Sequence, residues 1–234
     1  VVYALWRKEG EPREGFNGRL LAFLPDALHA AGASGVRINL RDAAVDPAAG
    51  LIQQSQATQQ AAVVQFWLPS SNALFRGAAD RVIGECCDRF AAWLVCESPV
   101  IANPVHPPLA GRRTWGWSQA SFITFRADVG RDAALQHWHG HHTRVAIDTQ
   151  ANFEYVQNVI VCSLTEDAPI YDAFVEECFT PEAMTDPGAF FAAVRDASLL
   201  KSNHAAMMES CRKFLDFTRN DIVPTSQFDF ANRN

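Results

Sequence analysis

Hydrophobic residues occur along this chain in short blocks whose spacing switches between helical periodicity and strand-like alternation. Over residues 14–31 the apolar positions recur every three or four residues, and Gly32 ends the pattern, which predicts a helix. Residues 36–40 alternate between apolar and polar side chains, as a half-buried strand does. The same criteria predict the other elements of the first half: strands over 1–6, 61–68 and 90–97, and a helix over 72–87.

The second half repeats this order of elements. The predicted elements are strands over 114–126, 153–164, 170–179 and 214–218, and helices over 131–147, 180–195 and 199–213. Glu176, in the third of these strands, is expected to face solvent. Each half therefore has the order strand–helix–strand–strand–helix–strand, which is typical of a ferredoxin-like unit.

A proline-rich stretch, residues 99–113, separates the two halves. Proline lacks a backbone donor and disfavours helix in the residue before it, so this stretch is predicted to be a linker. We therefore predict an α+β fold of two tandem ferredoxin-like repeats, residues 1–98 and 114–234. Two such sheets packed face to face can close a barrel around a ligand, so the repeats are expected to form one barrel.

Composition and charge limit the kinds of partner that this protein is expected to bind. The 234 residues are 48% hydrophobic and 20% charged, and no apolar run reaches the length of a membrane helix. The net charge of −6 arises entirely after residue 112, where ten basic residues accompany sixteen acidic ones. No run of Lys or Arg could neutralise a phosphate backbone, so neither nucleic acid nor a membrane is an expected partner.

The six cysteines form no CxxC motif, and Cys96 and Cys162 lie in apolar stretches. This pattern predicts buried free thiols in a reducing compartment, and hence a cytoplasmic protein. Motifs for phosphate-binding loops, dinucleotide-binding glycines, serine-hydrolase elbows and zincin helices are all absent from the sequence.

Four of the seven histidines lie within residues 137–142. Helical geometry places Trp138 and His142 on an apolar face with His139 at its margin, while His137 and His141 point toward solvent. The i, i+4 spacing of His137 and His141 suits zinc, but no cysteine or carboxylate has ligand spacing, so no metal is predicted and a zinc site stays an open alternative. His142 is either a hydrogen-bonded core histidine or a general acid/base.

Two neighbouring motifs carry a family resemblance. Leu135-x-x-Trp138-x-x-x-His142, followed by Phe153-x-Tyr155-Val156-Gln157-Asn158, resembles the signature of EthD-domain proteins, which belong to the dimeric α/β-barrel group of ferredoxin-like folds. The opening residues 3–8 are similar to the first strand of two-repeat members. The resemblance maps the family's histidine onto His142 and its polar strand residue onto Asn158, and it implies a dimeric-α/β-barrel-type fold. Many EthD-domain proteins lack an assigned activity, whereas others serve degradation of organic compounds or act on aromatic polyketides without a cofactor.

From these residues and this resemblance we predict a cofactor-independent acid/base enzyme of decarboxylase, dehydratase, cyclase or related lyase type. Its substrate would be a hydrophobic aromatic or polyketide-like molecule held in a barrel cavity, in a degradation or secondary-metabolic pathway. His142 would transfer the proton, and Tyr155 and Asn158 would orient a substrate oxygen. The expected substrate-binding residues are Trp138, His139, Trp67, Tyr3, Tyr171 and His29. The alternative is a non-catalytic small-molecule binding or accessory protein, and a homodimer stays open in either case.

Overall fold

The chain closes into an eight-stranded antiparallel barrel in a computed structural model that describes residues 1–230. The strands are β1 (Val2–Trp6), β2 (Ser34–Leu40), β3 (Ala62–Trp67), β4 (Arg89–Ala102), β5 (Trp117–Ile123), β6 (Glu154–Ser163), β7 (Ala173–Phe179) and β8 (Asp221–Asp229). The α-helices are α1 (Arg13–Ala30), α2 (Ala73–Cys86), α3 (Arg131–His137), α4 (Thr143–Thr149), α5 (Pro187–Phe190) and α6 (Ala197–Arg212). The order of strands around the barrel is β1-β3-β2-β8-β5-β7-β6-β4.

Each half of the chain supplies one four-stranded side of this barrel. The first half has the order β4-β1-β3-β2, and the second half has the matching order β8-β5-β7-β6. Helices α1 and α2 follow β1 and β3, and the helices of the second half occupy the corresponding places after β5 and β7. The halves join through the antiparallel pairs β2·β8 and β4·β6. The predicted fold class, tandem ferredoxin-like units closing a barrel, is thereby confirmed.

Three predicted boundaries are wrong. Residues 99–102, assigned to the linker, continue β4, because a register shift after Pro99 lets the strand pass a residue that has no backbone donor. The helix predicted over 180–195 is only a 3-10 turn, Pro181–Met184, and the single turn of α5. The strand predicted over 214–218 is a 3-10 turn, Phe217–Arg219, capped by Asp216, and the last strand follows it as β8. The sequence pattern misses β8 because its polar side chains lie inside the barrel.

Two helix layers enclose the outer faces of the barrel. One apolar cluster joins α1 and α2 to outward side chains of β1–β4, and a second joins α3, α4 and α6 to outward side chains of β5–β7. A third cluster draws on strands from around the whole barrel, with no helix residue, and therefore fills its interior at one end. Its aromatic members are Trp6, Trp93, Phe122, Tyr171 and Phe174. That end of the interior is packed with side chains rather than hollow.

The other end of the interior is charged. Arg37 on β2 reaches across the barrel and donates hydrogen bonds to Asp229 at 2.9 and 2.8 Å, to Glu154 at 2.6 Å and to Glu176 at 2.9 Å. Glu176 also accepts hydrogen bonds from the amides of Asn39, Gln65 and Gln227 and from the Ser118 hydroxyl. Burial alone would raise the pKa of Glu176, but the Arg37 guanidinium and these amides outweigh it and hold that pKa below 4.5.

Adjacent carboxylates on β7 lie on opposite sides of the barrel wall. Glu176 is 0% exposed and faces inward, so the expectation that it faces solvent is wrong. The reason is that β7 is paired on both edges, with β5 and β6, and covered on both faces. Glu177, one residue later, faces the helix layer of the second half. The two carboxylates therefore occupy separate environments.

Two cysteine predictions are corrected as well. Cys96 and Cys162 are exposed rather than buried, whereas Cys86, Cys87, Cys178 and Cys211 are buried free thiols. Cys162 lies among the three exposed residues that end β6, and Cys96 is an exposed position of β4 between half-buried neighbours. Within residues 1–230, no helix combines the length and apolar character needed to cross a bilayer.

Candidate active site

The histidine cluster lies on a distorted helix over the outer face of the second-half sheet. Residues Trp138–His142 form a π-helical turn between α3 and α4, a widening that is frequent at functional sites. Trp138 and His142 are buried against the sheet. The His142 Nδ1 atom lies 3.0 Å from the Ser210 hydroxyl on α6. His137 Nε2 lies 3.1 Å from the same hydroxyl, so the expectation that this side chain points into solvent is wrong.

Burial sets the charge of His142. Desolvation lowers its pKa from 6.5 to about 4, and charge on His137 and His141 acts in the same direction. His142 is therefore a neutral imidazole at neutral pH. In that state it can accept or donate a hydrogen bond, but it holds no imidazolium proton to deliver to a substrate.

Tyr155, on β6, faces this helix and is nearly fully buried. Its phenolic oxygen accepts hydrogen bonds from Trp138 Nε1 at 3.2 Å and from Gln157 Nε2 at 2.7 Å. Burial, followed by the charge of Glu177, raises its pKa well above 10, so the phenol keeps its proton. Two donors already point at its oxygen, so the Tyr155 O–H acts as a donor, with the Thr143 hydroxyl as a neighbouring hydrogen-bond partner.

Replacing Tyr155 by Phe should destabilise the protein by roughly 2 kcal/mol, because it leaves the buried Trp138 N–H without this acceptor and leaves the Gln157 amide with Thr143 as its remaining acceptor. Urea unfolding would measure the change. The matched control is Tyr3→Phe, whose hydroxyl donates to Asp80 while Asp80 keeps its ion pair with Arg76. That control should cost only about 1 kcal/mol. Equal losses in the two variants would contradict the role given to the Tyr155 oxygen.

Glu177 is the acidic group of this site, and sequence analysis did not single it out. It is 8% exposed, and strand register places it directly opposite Gln119 on β5 and Tyr155 on β6. Asn152 Nδ2 donates to it at 2.8 Å. None of the ion pairs within residues 1–230 involves it. Burial therefore raises its pKa to about 7, with hydrogen bonds from Asn152 and Gln119 opposing the shift.

Glu177, Tyr155 and His142 line one cavity between the sheet and the helices, which we call the helix-side cavity. Its volume is about 160 Å³, and its apolar walls include Trp138, Met207 and Phe214. A surface groove of about 690 Å³ adjoins it and shares Gln53, Gln119 and Ile222 with it. The groove lies between the 3-10 turn Ala43–Leu51 and residues 183–191, and one of its shared residues, Gln119, lies directly opposite Glu177 in the strand register.

The third predicted catalytic residue, Asn158, does not join this site. It faces the barrel interior and is 1% exposed, whereas Tyr155 faces outward from the same strand. Residues three apart on a strand point to opposite faces, so these two side chains cannot orient the same substrate oxygen. Gln157 is the polar neighbour that does share the face of Tyr155.

The predicted substrate-binding residues are dispersed. Trp138 lines the helix-side cavity, and His139 is exposed beside the Trp138 ring. Trp67 lies 38% exposed at the charged end of the barrel. His29 is half-buried at the end of α1 and lines neither the helix-side cavity nor its groove.

The other two predicted tyrosines are held by buried or half-buried carboxylates. The Tyr3 hydroxyl donates to Asp80 at 2.7 Å beneath α2, outside the barrel. The Tyr171 hydroxyl donates to Asp221, and its ring packs with Trp93 and Phe122 inside the barrel. Both hydroxyls are thus engaged in the fold.

Across residues 1–230, no group of three or more His, Cys, Asp or Glu side chains is arranged to hold a metal ion.

Comparison with known proteins agrees with this architecture. Residues 126–218, which span the histidine helix, Tyr155 and Glu177, match the family model of the EthD domain. A crystal structure described as that of an anthrone oxidase-like protein has a TM-score of 0.57 at 9% identity, covering 100% of this chain and 93% of its own. Such a distant likeness shows the fold alone. No curated protein matches the chain. Residues 126–218 of the second half are therefore similar to the EthD domain, and the chain as a whole shares its fold with the anthrone oxidase-like structure.

Proposed function

We propose that this protein is a cofactor-independent acid/base enzyme whose chemistry takes place in the helix-side cavity, with Glu177 as the group that transfers the proton. The observation that carries the proposal is a buried carboxyl without an ion pair, its pKa raised to about 7, facing a cavity with a phenol and a neutral imidazole. General acid/base catalysis is most efficient when the pKa of the group lies near the working pH. A structural carboxylate would instead be expected to have a cation beside it.

The proposed step is removal of a proton from a carbon next to a ketone. The Glu177 carboxylate takes the proton, the C–H electron pair forms a C=C bond to the carbonyl carbon, and the C=O π pair moves onto the oxygen, which gives an enolate. The Tyr155 O–H donates a hydrogen bond to that oxygen, where negative charge develops. Returning the proton to the same carbon gives exchange, and returning it elsewhere, or losing a leaving group, gives isomerisation or elimination. His142 does not carry the proton. It hydrogen-bonds to groups in the helix-side cavity and positions them.

Cavity size supports an aromatic ketone as substrate. A dry cavity of about 150 Å³ holds one benzene ring, so the helix-side cavity of about 160 Å³ accommodates a single ring. Further rings of a polycyclic substrate would lie in the adjoining groove, whose lining includes Phe190, Phe191 and Met184. The anthrone in the description of the structural neighbour is likewise an aromatic ketone.

Hydrogen–deuterium exchange of 2-tetralone, a two-ring aromatic ketone, tests the proposal. In D₂O, proton NMR should show exchange next to the ketone accelerated roughly 10²–10⁴-fold over buffer. Because only the ionised carboxylate accepts a proton, the rate should rise with pH through about 7 and level off above it.

The same experiment separates enzyme from binding protein. Binding of 2-tetralone, measured by calorimetry, with exchange no faster than in buffer would overturn the catalytic proposal and favour the non-catalytic binding alternative. Exchange whose rate is flat between pH 5 and 9 would overturn the assignment of the proton transfer to Glu177.

A further inference from the structure

The charged end of the barrel opens into a second cavity, on the opposite side of the sheet from Glu177. Its volume is about 710 Å³, and we call it the mouth cavity. Three carboxylates, Glu97, Glu154 and Asp229, are among its lining residues, together with apolar groups of Trp67, Pro99 and Val156. The segment after β4 supplies further wall through Asn103, Pro108 and Ala110.

Among the described residues that line the mouth cavity, carboxylates outnumber cationic side chains. Arg37 is the sole cationic side chain among those described as lining it, and its guanidinium already binds Glu154, Asp229 and the buried Glu176. One guanidinium is thus shared among three carboxylates. Burial raises the pKa of Glu154, with Arg37 opposing the shift and Glu176 adding to it. Such a cavity repels anions and favours a positively charged guest.

An unpartnered amide provides an independent sign of a ligand. Asn158 is 1% exposed, yet neither its Oδ1 nor its Nδ2 has a hydrogen-bond partner within residues 1–230. It lines a smaller cavity of about 180 Å³ that shares Trp67 and Glu97 with the mouth cavity. The β4·β6 register places Asn158 directly opposite Glu97. Buried amides are normally hydrogen-bonded, so this one is available to a molecule entering from the mouth.

We propose that the mouth cavity and its side cavity bind a small organic cation that carries an aromatic ring and a hydrogen-bonding group. The ammonium would lie against Glu154 and Asp229, the ring would contact Trp67, and the polar group would hydrogen-bond to Asn158. An aromatic face beside carboxylates is suited to an organic ammonium. A metal ion fits poorly, because no cluster within residues 1–230 has the three ligands needed to hold one.

This binding site goes beyond the proposed catalysis and does not depend on it. Glu176 and Glu177 are neighbours in β7 but contribute to opposite sides of the wall, so the two cavities share no lining residue. Either site can therefore be disproved while the other stands.

Three matched probes test the charge preference by isothermal titration calorimetry on the full chain. Tyramine carries the ammonium, ring and hydroxyl; tyrosol replaces the ammonium by a hydroxyl; 3-(4-hydroxyphenyl)propanoate replaces it by a carboxylate. We expect tyramine to bind at least tenfold more tightly than tyrosol and the carboxylate not to bind. Affinities of the three probes within twofold of one another would overturn the proposal. So would the absence of tyramine binding at a concentration ten times the Kd measured for tyrosol.

Asn158→Leu locates the bound probe. The variant should weaken tyramine at least fivefold and leave phenethylamine, which lacks the hydroxyl, unchanged. Its Tm should not fall, since the amide makes no hydrogen bond in the fold. Glu177→Gln, on the other side of the sheet, should leave tyramine affinity unchanged. Loss of tyramine binding in Glu177→Gln but not in Asn158→Leu would place the amine in the helix-side cavity and refute the mouth site.

Discussion

Glu177→Gln should abolish proton exchange and at the same time stabilise the protein. Removing the proton-transfer group is expected to lower the exchange rate of 2-tetralone by about 10²-fold or more. The amide keeps an oxygen that can accept the hydrogen bond from Asn152, so the local structure is preserved. What the variant removes is a carboxylate that the fold holds in an unfavourable environment.

The sign and size of the stability change follow from the pKa of Glu177. Its pKa is raised from 4.5 to about 7 in the folded protein, so the carboxyl favours folding below pH 4.5 and this contribution is lost as pH rises through 7. The shift corresponds to about 3 kcal/mol at pH 8. Glu177→Gln should therefore be more stable than the natural sequence by about that amount at pH 8, and no more stable at pH 4.

Urea unfolding at pH 8 and pH 4 measures both values. Glu166→Gln is the matched control, because Glu166 is an exposed carboxylate of the same half of the chain, and it should change neither the exchange rate nor the unfolding free energy at pH 8. Lower stability of Glu177→Gln at pH 8, or retained exchange, would show that Glu177 is a structural group.

Arg37→Ala should have the opposite effect on stability. Removing the guanidinium leaves Glu154, Glu176 and Asp229 buried together without a cation, and losing one partner of a buried ion pair typically costs about 3–5 kcal/mol. In the natural sequence, the pKa of Glu176 lies below 4.5, so its stabilising contribution is present above pH 4.5 and lost as pH falls below it. In the variant, the uncompensated carboxylates gain raised pKa values, so its deficit should shrink as the pH falls from 7 to 5.

Two further variants provide comparisons for Arg37→Ala. Arg144→Ala removes a surface pair with Asp148 and should leave the unfolding free energy nearly unchanged. Arg37→Lys keeps a positive charge but cannot reproduce the paired contacts to Asp229, so its loss should be intermediate. A deficit below about 1 kcal/mol in Arg37→Ala would contradict the central role of the guanidinium in the barrel.

Periodicity predicts most of this fold because its long helices have one apolar face on a core and most of its strands are short, largely apolar runs buried between the barrel interior and a helix layer. α1, α2, α6 and β1–β7 all overlap their predicted positions for that reason. β8 fails the rule: its Thr225, Ser226 and Gln227 are polar but buried. A strand whose polar side chains are inside a charged barrel cannot be distinguished from a loop by hydropathy alone.

The candidate site was only partly predictable from sequence. The two motifs indicated Trp138, His142 and Tyr155, and these do line one cavity. Asn158 could have been separated from Tyr155 by the two-residue period of a strand. Glu177 could not have been chosen over Glu176 from the sequence. The two carboxylates are adjacent, and the sequence does not show which of them lies beside a cation in the fold. That difference arises from Arg37, which is 139 residues away from Glu176 in the chain.

The two adjacent carboxylates of β7 also constrain how the strand can be assembled and how it can evolve. A slip of β7 by one residue would bring Glu177 toward Arg37 and leave Glu176 beneath the helices, while also exchanging Phe174 and Val175 between the barrel interior and the helix layer. The barrel interior and the contact between the sheet and the helix layer would then both be mispacked. Single-residue insertions and deletions within Ala173–Phe179 should therefore be the least tolerated length changes in the second half of the chain, far less tolerated than those between Gly111 and Gly116.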